Sequence, residues 1–391
     1  MSKATNEKAI RVVHLTSAHG AFDVRIFYKE CRSLARAAYE VIEIGNFEFN
    51  GKVDGVTIRG LNRRGGRLQR GTVNLVHIAR EAMRAAGDVY HLHDPELLLL
   101  GLILRGAGKR VIYDIHEDLP RDVCFKEYIP KPFRKPLMWM VEPVENVAAR
   151  CMSGLITATP AIADRFHKIH SNTVVVNNYA VTDEFTPAAG WEWNNRDPSV
   201  AFIGGISEER GIREMLAAMD LLPQTLGARL ELAGWFYVEK LKTELAASSS
   251  WRHVHWHGGL DRSGTVSLLK RVRAGLIVSH PGRLSHEVSQ PNKLFEYMAA
   301  GIPVIASDFP LWRQIVDGAG CGLLIDPFDT RAIATAIEWL ITNPTEAEAM
   351  GRRGIKAVQE RFSWCNEEQV LLSFYSSLLA QSSAVEAHSV A

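Results

Sequence analysis

Two predicted strand ends in the first half of the sequence carry histidine beside acidic residues. The run Val89–His93 is followed by Asp94-Pro95-Glu96, and the run Arg110–Ile115 is followed by His116-Glu117-Asp118. Imidazole and carboxylate groups can act as acids and bases near neutral pH. Because ligands bind beyond the carboxyl ends of parallel strands, these residues are candidates for a site, although a histidine in a loop can equally serve only the fold.

A sharper signal lies at Pro291–Pro303, with the sequence PNKLFEYMAAGIP. Asn292 and Lys293 are predicted to precede a helix that carries Glu296 in its first turn and ends at Gly301 as a C-cap. Glu296 can be a residue that only complements the helix dipole, or it can accept hydrogen bonds from two vicinal hydroxyls, as a ribose offers. The unpaired N–H groups at the helix start would meet a phosphate.

Composition and missing motifs exclude several classes of protein. The 391 residues contain 45 Lys and Arg against 44 Asp and Glu, which argues against a nucleic-acid partner. No GxGxxG or GxxxxGK[ST] motif supports a dinucleotide oxidoreductase or a P-loop enzyme. The five cysteines form no CxxC pair or Cys/His cluster, so the sequence predicts neither a disulfide framework nor a metal site.

Short β-branched runs alternate with helical patterns along the chain, which predicts α/β architecture with parallel sheets. Twelve such runs suit two doubly wound sheets better than one. In chain order they are 11–15, 39–44, 89–93, 110–115, 154–157, 173–176, 200–203, 229–233, 254–257, 275–278, 303–306 and 321–325.

The Pro-, Asn- and Gly-rich stretch 183–198 is predicted to be a linker between two domains, 1–182 and 199–362. Charge also divides there: residues 1–180 contain 26 Lys and Arg against 19 Asp and Glu, a net of +7. The remaining residues contain 19 against 25, a net of −6. Residues 363–380 are predicted to form an amphipathic helix, and 381–391 a frayed tail.

Several ordered segments together resemble the retaining glycosyltransferases of GT-B fold in glycosyltransferase family 4, a family typical of bacterial polysaccharide synthesis. This resemblance implies two Rossmann-like domains that face a central cleft, with the C-terminal helix crossing back to the first domain. The first domain would bind the acceptor and the second the nucleotide-sugar donor. The segments are SAHGAFDVRIFYKECRSLA, VYHLHDPELL, VIYDIHEDLPR, FIGGISEERGI, PNKLFEYMAAGIPVIASD and ERFSWCNEEQ.

The resemblance also assigns roles to individual residues. Glu296 matches the second glutamate of the family's E-x7-E motif and would grip the donor ribose, while His116 would lie near the transferred sugar and the diphosphate. Arg210 takes the place of the basic residue that binds the leaving diphosphate. The remaining residues predicted to bind the donor are His19, Gly20, Gly204, Gly205, Asn292 and Lys293.

The sequence departs from the family pattern at two positions. Val288 stands where the first glutamate of the E-x7-E motif falls, and Glu287, one residue earlier, is a possible substitute. Gly205 stands where an arginine usually precedes the basic residue of the loop, and Lys293 can supply the missing charge. How the 3- and 4-hydroxyls of the donor sugar are held therefore stays open.

The expected mechanism is electrostatic stabilisation of the leaving nucleoside diphosphate by Arg210, Lys293 and the N–H groups at 290–292, without a metal. The resemblance implies front-face attack with retention, in which a donor phosphate oxygen takes the acceptor proton. A UDP-sugar is favoured over a GDP-sugar, and no further cofactor is expected. A nucleotide-sugar epimerase of the same fold and a non-catalytic donor-binding subunit are the alternatives.

A glycan or a lipid-linked molecule is the expected acceptor. Basic residues of the first domain form a Gly-rich loop at 59–70 and a stretch at 126–135 that precedes an apolar patch at 137–140. They are either a solvated face or a surface that rests on anionic lipid. The basic residues are Arg59, Arg63, Arg64, Arg67, Arg70, Lys126, Lys131, Arg134 and Lys135. With no signal-peptide pattern and no apolar run of ~20 residues, we expect a cytoplasmic protein that can touch the inner face of the membrane.

Overall fold

The computed structural model describes residues 9–62, 74–124, 129–185, 193–282 and 287–389, without the side chains of 122 and 381–389. The chain divides into two compact units. The first comprises Met1–Asn178 and Cys365–Ala391, and the second comprises Tyr179–Trp364. Each unit holds one sheet with helices packed against it, so the predicted doubly wound α/β class is confirmed.

The sheet of the first unit has the order β3-β4-β2-β1-β5-β6-β7-β8. All its neighbouring pairs are parallel except β3 with β4. The inner strands are buried on both faces, as continuous β-branched runs predict. The strands are β1 (Arg11–Leu15), β2 (Glu40–Gly45), β3 (Asn50–Val53), β4 (Val56–Gly60), β5 (Val89–Leu92), β6 (Arg110–Ile115), β7 (Gly154–Thr157) and β8 (Thr173–Val175).

Strands β3 and β4 form an antiparallel hairpin that the sequence analysis missed. Their turn places Asp54 at φ 50° and Gly55 at φ 85°, and two successive positive φ angles are what an Asp-Gly hairpin turn requires. The Asp-Gly pair was the available signal. The expectation of a purely parallel first sheet is therefore wrong at this edge.

The first helix of the first unit is not a regular α-helix. Segment α1 is π-helical, and the side chain of Asp23 accepts hydrogen bonds from the N–H groups of Arg25 and Ile26 at its start. The helices are α1 (Val24–Cys31), α2 (Arg32–Arg36), α3 (Leu75–Ala85), α4 (Leu98–Gly106), α5 (Leu119–Val123), α6 (Lys131–Arg150) and α7 (Pro160–Phe166).

The second unit has an all-parallel sheet of order β11-β10-β9-β12-β13-β14. Its strands are β9 (Ser199–Ile203), β10 (Arg229–Ala233), β11 (Val254–Gly258), β12 (Ala274–Ile277), β13 (Val304–Ser307) and β14 (Gly322–Ile325). Its helices are α8 (Ile212–Leu221), α9 (Glu239–Ala246), α10 (Arg262–Leu269), α11 (Asn292–Ala299), α12 (Pro310–Ala319), α13 (Thr330–Thr342) and α14 (Pro344–Glu360). All twelve predicted strands are present in the two sheets, with ends within one residue of the prediction.

Short 3-10 turns complete the described chain, at Pro95–Leu97, Thr182–Phe185, Trp193–Asn195, Glu208–Arg210, Gln224–Leu226 and Ser249–His253. Two of them fall in the predicted linker. Phe185 and Trp193 are buried there within the second unit, so these parts of the stretch belong to a core. Residues 186–192 of the predicted linker lie outside the described residues.

The last helix, α15 (Trp364–Ser389), returns to the first unit from Cys365 onward. Its buried face carries Leu371, Phe374, Tyr375 and Leu378, the spacing of an amphipathic helix. Tyr375 OH lies 2.8 Å from His91 Nδ1 on β5, which ties the helix to the first sheet. The backbone is helical beyond the predicted end at 380. Among the described helices, none has the length and hydropathy that crossing a bilayer requires.

Candidate active site

In the first unit, the carboxyl ends of the neighbouring strands β1 and β5 are tied together by Asp94. The hydroxyl of Thr16 and the backbone N–H of Ser17 each donate to Asp94 Oδ2 at 2.7 Å. Asp94 is buried, and the two donors come from the loop that follows β1. This carboxylate therefore fixes the loop that carries the predicted site residues His19 and Gly20.

His19 faces two carboxylates. Its Nδ1 lies 3.3 Å from Asp23 Oδ2, and its Nε2 lies 3.5 Å from Asp94 Oδ1. Burial by itself lowers the pKa of His19, but the hydrogen bond and charge of Asp23, together with Asp94, outweigh burial and raise that pKa to about 9. His19 is therefore a cation at neutral pH, which suits an anionic ligand.

His116 follows β6 and is held by Asp114. His116 Nε2 lies 2.8 Å from Asp114 Oδ2, and the Arg25 guanidinium donates to both oxygens of Asp114 at 2.8 Å. Burial alone would raise the pKa of Asp114, but Arg25 and His116 hold it well below its usual range. Asp114 therefore orients the His116 ring through Nε2.

The ring centroids of His19 and His116 are 5.0 Å apart, so the first unit brings two predicted residues together. Gly20 lies in the same loop, and a β-carbon built on it would meet no atom within 4 Å. Packing within the protein therefore does not require glycine at this position, and the space beside it is open.

In the second unit, the loop after β9 forms a cationic recess around Gly204. The position that a β-carbon would take on Gly204 lies 3.6 Å from Lys293 Nζ and 4.0 Å from Arg210 NH1. Gly204 has φ +105°, a conformation that side chains rarely adopt, and Arg210 NH1 donates to the Gly205 carbonyl at 3.0 Å. The backbone thus leaves a gap where two cationic side chains converge.

Gly205, one of the departures from the family pattern, lies beside Tyr237. A β-carbon at Gly205 would come within 2.4 Å of Tyr237 OH, so a side chain at this position would require the exposed Tyr237 ring to shift. The Arg210 guanidinium also lies over the Tyr237 ring, 5.5 Å from its centroid. The sequence analysis did not identify Tyr237.

Lys293 lies against an aromatic face, with Nζ 3.7 Å from the centroid of the Phe202 ring. Burial lowers the pKa of Lys293 well below its usual range, and the charge of Arg210 lowers it further, while Glu296 partly opposes both. A dianionic group in the recess would reverse that effect.

The helix at this site, α11, begins at Asn292, so the prediction that Asn292 and Lys293 precede it is wrong. Glu296 lies in the second turn, and the described first turn contains no acidic residue. The interpretation of Glu296 as a helix-dipole residue therefore loses its basis, because that effect is confined to the first turn. Gly301 follows the helix at φ +66°, as predicted.

Glu296 is almost fully buried and forms an ion pair with Arg262 of α10. The Arg262 Nε also donates to Glu184 Oε2 at 2.7 Å, and its guanidinium lies 5.2 Å from the Phe185 ring centroid. Burial alone lowers the pKa of Arg262, but Glu296 and Glu184 outweigh burial and raise it. Arg262 thus keeps a fixed positive charge beside Glu296, the residue predicted to bind the donor ribose.

The Glu287 carboxylate is bound to a nearby backbone group. Its Oε1 accepts a hydrogen bond from the Gly282 N–H at 2.7 Å. Val288 is half-buried beside it. This contact joins Glu287 to Gly282. Its predicted function as a substitute for the missing motif glutamate stays a prediction.

The predicted residues thus form one group in each unit: His19, Gly20 and His116 in the first, and Gly204, Gly205, Arg210, Asn292, Lys293 and Glu296 in the second. Sequence reasoning missed Arg25, Asp114, Tyr237 and Arg262 as their partners. Arg25 and Asp114 lie in quoted motif segments, so position near a strand end was an available signal. Arg262 pairs with a residue 34 positions away, and no local pattern indicates that contact.

Solved structures with the same architecture span nearly the whole chain. Sucrose-phosphate synthase from Thermosynechococcus elongatus aligns with a TM-score of 0.75 and 18% identity, over 95% of this chain and 100% of that one. HepE from Anabaena, in complex with UDP-glucose, aligns with a TM-score of 0.68 and 16% identity, over 94% and 100%. At these identities the likeness shows the fold alone, which is GT-B.

Residues 5–178 match the glycosyl transferase 4-like domain, and residues 186–357 match the domain described as glycosyl transferases group 1. The chain is a GT-B glycosyltransferase. Among curated relatives of this glycosyltransferase, phosphatidyl-myo-inositol mannosyltransferase of Mycobacterium leprae is 23% identical over 309 residues, which are 76% of each chain. The family resemblance seen in the sequence is therefore confirmed at the level of glycosyltransferases.

Proposed function

We propose that this glycosyltransferase moves a sugar from a nucleotide-diphosphate sugar to a glycan or lipid-linked acceptor, with retention of configuration, in polysaccharide or glycolipid synthesis. A UDP-sugar is the favoured donor. The reaction as proposed uses no cofactor and no metal at the diphosphate. The protein would work in the cytoplasm, and its first unit would contact the membrane from that side.

The observation that carries the proposal is the recess at Gly204. Arg210 and Lys293 converge on a position where the chain has no side chain, at the carboxyl end of β9. A diphosphate is an anion that would fill such a recess and receive charge-assisted hydrogen bonds from both cations. As the sugar–phosphate bond breaks, negative charge grows on the leaving diphosphate, and preorganised cations stabilise that state.

Lys293 adds a reason why the recess favours anions. Its pKa is lowered by burial and by the charge of Arg210. The charge of a bound diphosphate would raise the pKa of Lys293. Donor binding and protonation of Lys293 would therefore be linked.

The first unit supplies the chemistry proposed for the sugar. His19 is cationic, and His116 is oriented through Nε2 by Asp114, which is itself fixed by Arg25. We assign to His116 a contact with the transferred sugar and its phosphate. In front-face attack, the donor phosphate oxygen takes the acceptor proton, so no protein carboxylate needs to act as a nucleophile.

Comparison supports the choice of substrates. The HepE structure contains UDP-glucose, and the mycobacterial relative is named as a mannosyltransferase that acts on phosphatidyl-myo-inositol. A lipid acceptor agrees with helix α6 of the first unit, which exposes apolar side chains on one stripe beside the exposed Lys131 and Lys135. The exposed apolar residues are Phe133, Trp139, Met140, Val144 and Val147.

Charge favours an anionic bilayer as the occupant of this surface. Residues 1–180 carry a net charge of +7, and α4, which packs against α6, adds the exposed Leu99 and Ile103 to the apolar area. Arg59 is half-buried in β4. Of the other predicted basic residues, Arg63, Arg64, Arg67, Arg70 and Lys126 lie outside the described residues.

The test begins with donor binding. UDP- and GDP-sugars are screened for thermal stabilisation of the full chain, and the best donor is then incubated with lipid-linked and soluble acceptors. We expect stabilisation by one UDP-sugar and an acceptor-dependent product whose anomeric configuration, read by NMR, matches that of the donor.

Four outcomes would overturn parts of the proposal. Conversion of the UDP-sugar without any acceptor would identify an epimerase, and donor binding without any turnover would identify a binding subunit. A product of inverted configuration would remove the retaining mechanism. Donor binding that is lost on adding a chelator would contradict metal-independent binding of the diphosphate.

A further inference from the structure

Behind the site of the first unit, four metal-ligand side chains are buried together. His14 lies on β1, His91 on β5, and His93 directly after β5, while Glu30 comes from the π-helical α1. All four side chains are fully buried, and their donor atoms lie within 4.8 Å of one another. None of these four residues is among those assigned to the donor or the acceptor.

The secondary structure explains why they meet. Val13 to Leu15 pair in parallel register with Tyr90 to Leu92, which places His14 directly beside His91 on neighbouring strands. His91 and His93 are two residues apart, so both project from the same face of the sheet. The wide π-helical turn of α1 presents Glu30 to that face.

The distances suit a small cation. His14 Nδ1 lies 2.9 Å from His93 Nε2, and Glu30 Oε2 lies 3.8 Å from His91 Nε2 and 4.0 Å from His93 Nε2. Tetrahedral zinc with metal–ligand bonds of about 2.0–2.1 Å separates its ligand atoms by about 3.3 Å. These three separations would have to change by about 0.4–0.7 Å to reach that spacing.

Two of the histidines also have a polar partner at the ring nitrogen that faces away from Glu30, as metal-binding histidines do. His91 Nδ1 is 2.8 Å from Tyr375 OH, and His93 Nδ1 is 3.3 Å from Asp114 Oδ2. In both rings, the nitrogen that faces Glu30 is therefore the other one, Nε2. Such partners orient the rings of metal-binding histidines.

Two buried nitrogens of the cluster, His14 Nε2 and His91 Nε2, have no hydrogen bond within the described part of the chain. The Glu30 carboxyl group faces Arg25 Nε at 3.0 Å and interacts with Asp114. Leaving such groups unpaired in the interior costs free energy. A metal ion would use the lone pairs of His91 and Glu30 directly.

We propose that His14, Glu30, His91 and His93 bind one structural divalent transition-metal ion, with zinc as the best fit. Three imidazoles and one carboxylate are ligands of zinc, and a site closed by four protein ligands is typical of a structural role. This assignment departs from the sequence-based expectation of no metal site. It is separate from the proposed reaction, in which no metal contacts the diphosphate.

Binding would exchange protons for the metal. The ion takes a lone pair from each imidazole, and any proton held on Glu30 or on a ligating nitrogen leaves to solvent. The ion would join β1, β5 and α1 at the point where Arg25 and Asp114 support His116. We therefore expect the metal to stabilise the first unit and to keep this support in place.

The test uses the untagged full chain, refolded with and without Zn²⁺ and freed of loose metal by gel filtration over chelator. We expect about one zinc ion per chain by elemental mass spectrometry and a higher melting temperature in the zinc-refolded sample. Substitution with Co²⁺ should give the intense visible absorption of a tetrahedral site. Less than a tenth of an ion per chain in the refolded wild type would overturn the proposal, whatever the variants do.

Two matched controls locate the ion. Glu30→Gln should lose at least nine-tenths of the metal, whereas Glu43→Gln, a buried carboxylate opposite His14 on β2 but outside the cluster, should retain it. His255→Gln tests a second, partly exposed cluster of Glu231, His255 and His257. Metal that survives Glu30→Gln, or that is lost only with His255→Gln, would contradict the buried site.

If Glu30→Gln does not fold, His91→Gln serves as the second variant, and the Co²⁺ spectrum of the wild type still decides the geometry. An octahedral, weakly absorbing spectrum would overturn the four-ligand assignment. These readouts need no sugar donor, so their failure leaves the transferase proposal to its own test.

Discussion

Arg262 of α10 forms an ion pair with Glu296 of α11, two side chains 34 residues apart in the sequence and both nearly buried. Glu296 is the residue predicted to hold the donor ribose. Its carboxylate is thus already oriented in the free protein by a guanidinium that Glu184 holds from the other side. A ligand meets an acceptor that does not need to be ordered on binding.

Glu296→Gln is expected to weaken donor binding by about 1.5–3 kcal/mol, roughly 10- to 150-fold, because a charged hydrogen-bond acceptor is lost. Turnover should fall with it, and the fold should remain. Calorimetric titration with the best donor measures the affinity, and circular dichroism checks the fold. A wild-type affinity in this variant would refute the assignment of Glu296 to the ribose.

Arg262→Gln is expected to reduce donor affinity through Glu296, since the arginine has no predicted contact with the donor. The double variant Arg262→Gln/Glu296→Gln should then bind the donor no worse than Glu296→Gln alone. Titration of the two single variants and the double variant gives this coupling. Strictly additive losses would mean that Arg262 acts on the donor independently of Glu296.

His116→Ala should lower kcat by much more than it lowers donor affinity, because its contact is proposed to strengthen as the sugar–phosphate bond breaks. Asp114 and Arg25 orient the ring and are avoided as test positions, since both are fully buried. Steady-state rates and donor titration separate the two effects. An unchanged kcat with a lower melting temperature would assign His116 a purely structural role.

Stability should fall at alkaline pH through His19. The folded pKa of about 9 lies above the ordinary value of 6.5, so the folded state binds the proton more tightly. That contribution is complete below pH 6.5 and is lost as pH rises through 9. His19→Gln should therefore show a smaller decrease in the free energy of unfolding between pH 6 and pH 9.5, measured in urea.

The control for that experiment is His255→Gln, a largely exposed histidine of the second unit. It should follow the wild-type pH dependence. If His19→Gln loses stability with pH as steeply as the wild type, the charge on His19 has no part in the alkaline decrease.

The apolar stripe of α6 should mediate binding to anionic membranes. Met140→Ser/Val144→Ser should reduce co-sedimentation with phosphatidylglycerol liposomes, and Lys131→Gln/Lys135→Gln should reduce it most at low salt. Donor binding should be unchanged in both variants. Equal sedimentation on neutral and anionic liposomes would refute the electrostatic contribution and favour a water-soluble acceptor.

Local sequence patterns were enough to predict two mainly parallel sheets and the strand ends that carry the site. A continuous β-branched run indicates a strand that is buried on both faces of a sheet. Alternation of such strands with helices indicates parallel connections between them. Both patterns can be seen within short stretches of the sequence. The motif around Glu296 was visible for the same reason, because a helix with its Gly301 cap is encoded within a dozen residues. The Asp54-Gly55 hairpin was equally local and was missed.

Which side chains contact the site residues depends on the tertiary structure. Arg262 reaches Glu296, Arg25 reaches Asp114, and Tyr237 fills the space beside Gly205, each across a long separation in the sequence. The cluster of His14, Glu30, His91 and His93 likewise depends on strand register and on a π-helical turn. Such contacts follow from packing of distant segments, which no periodicity or spacing along the chain records.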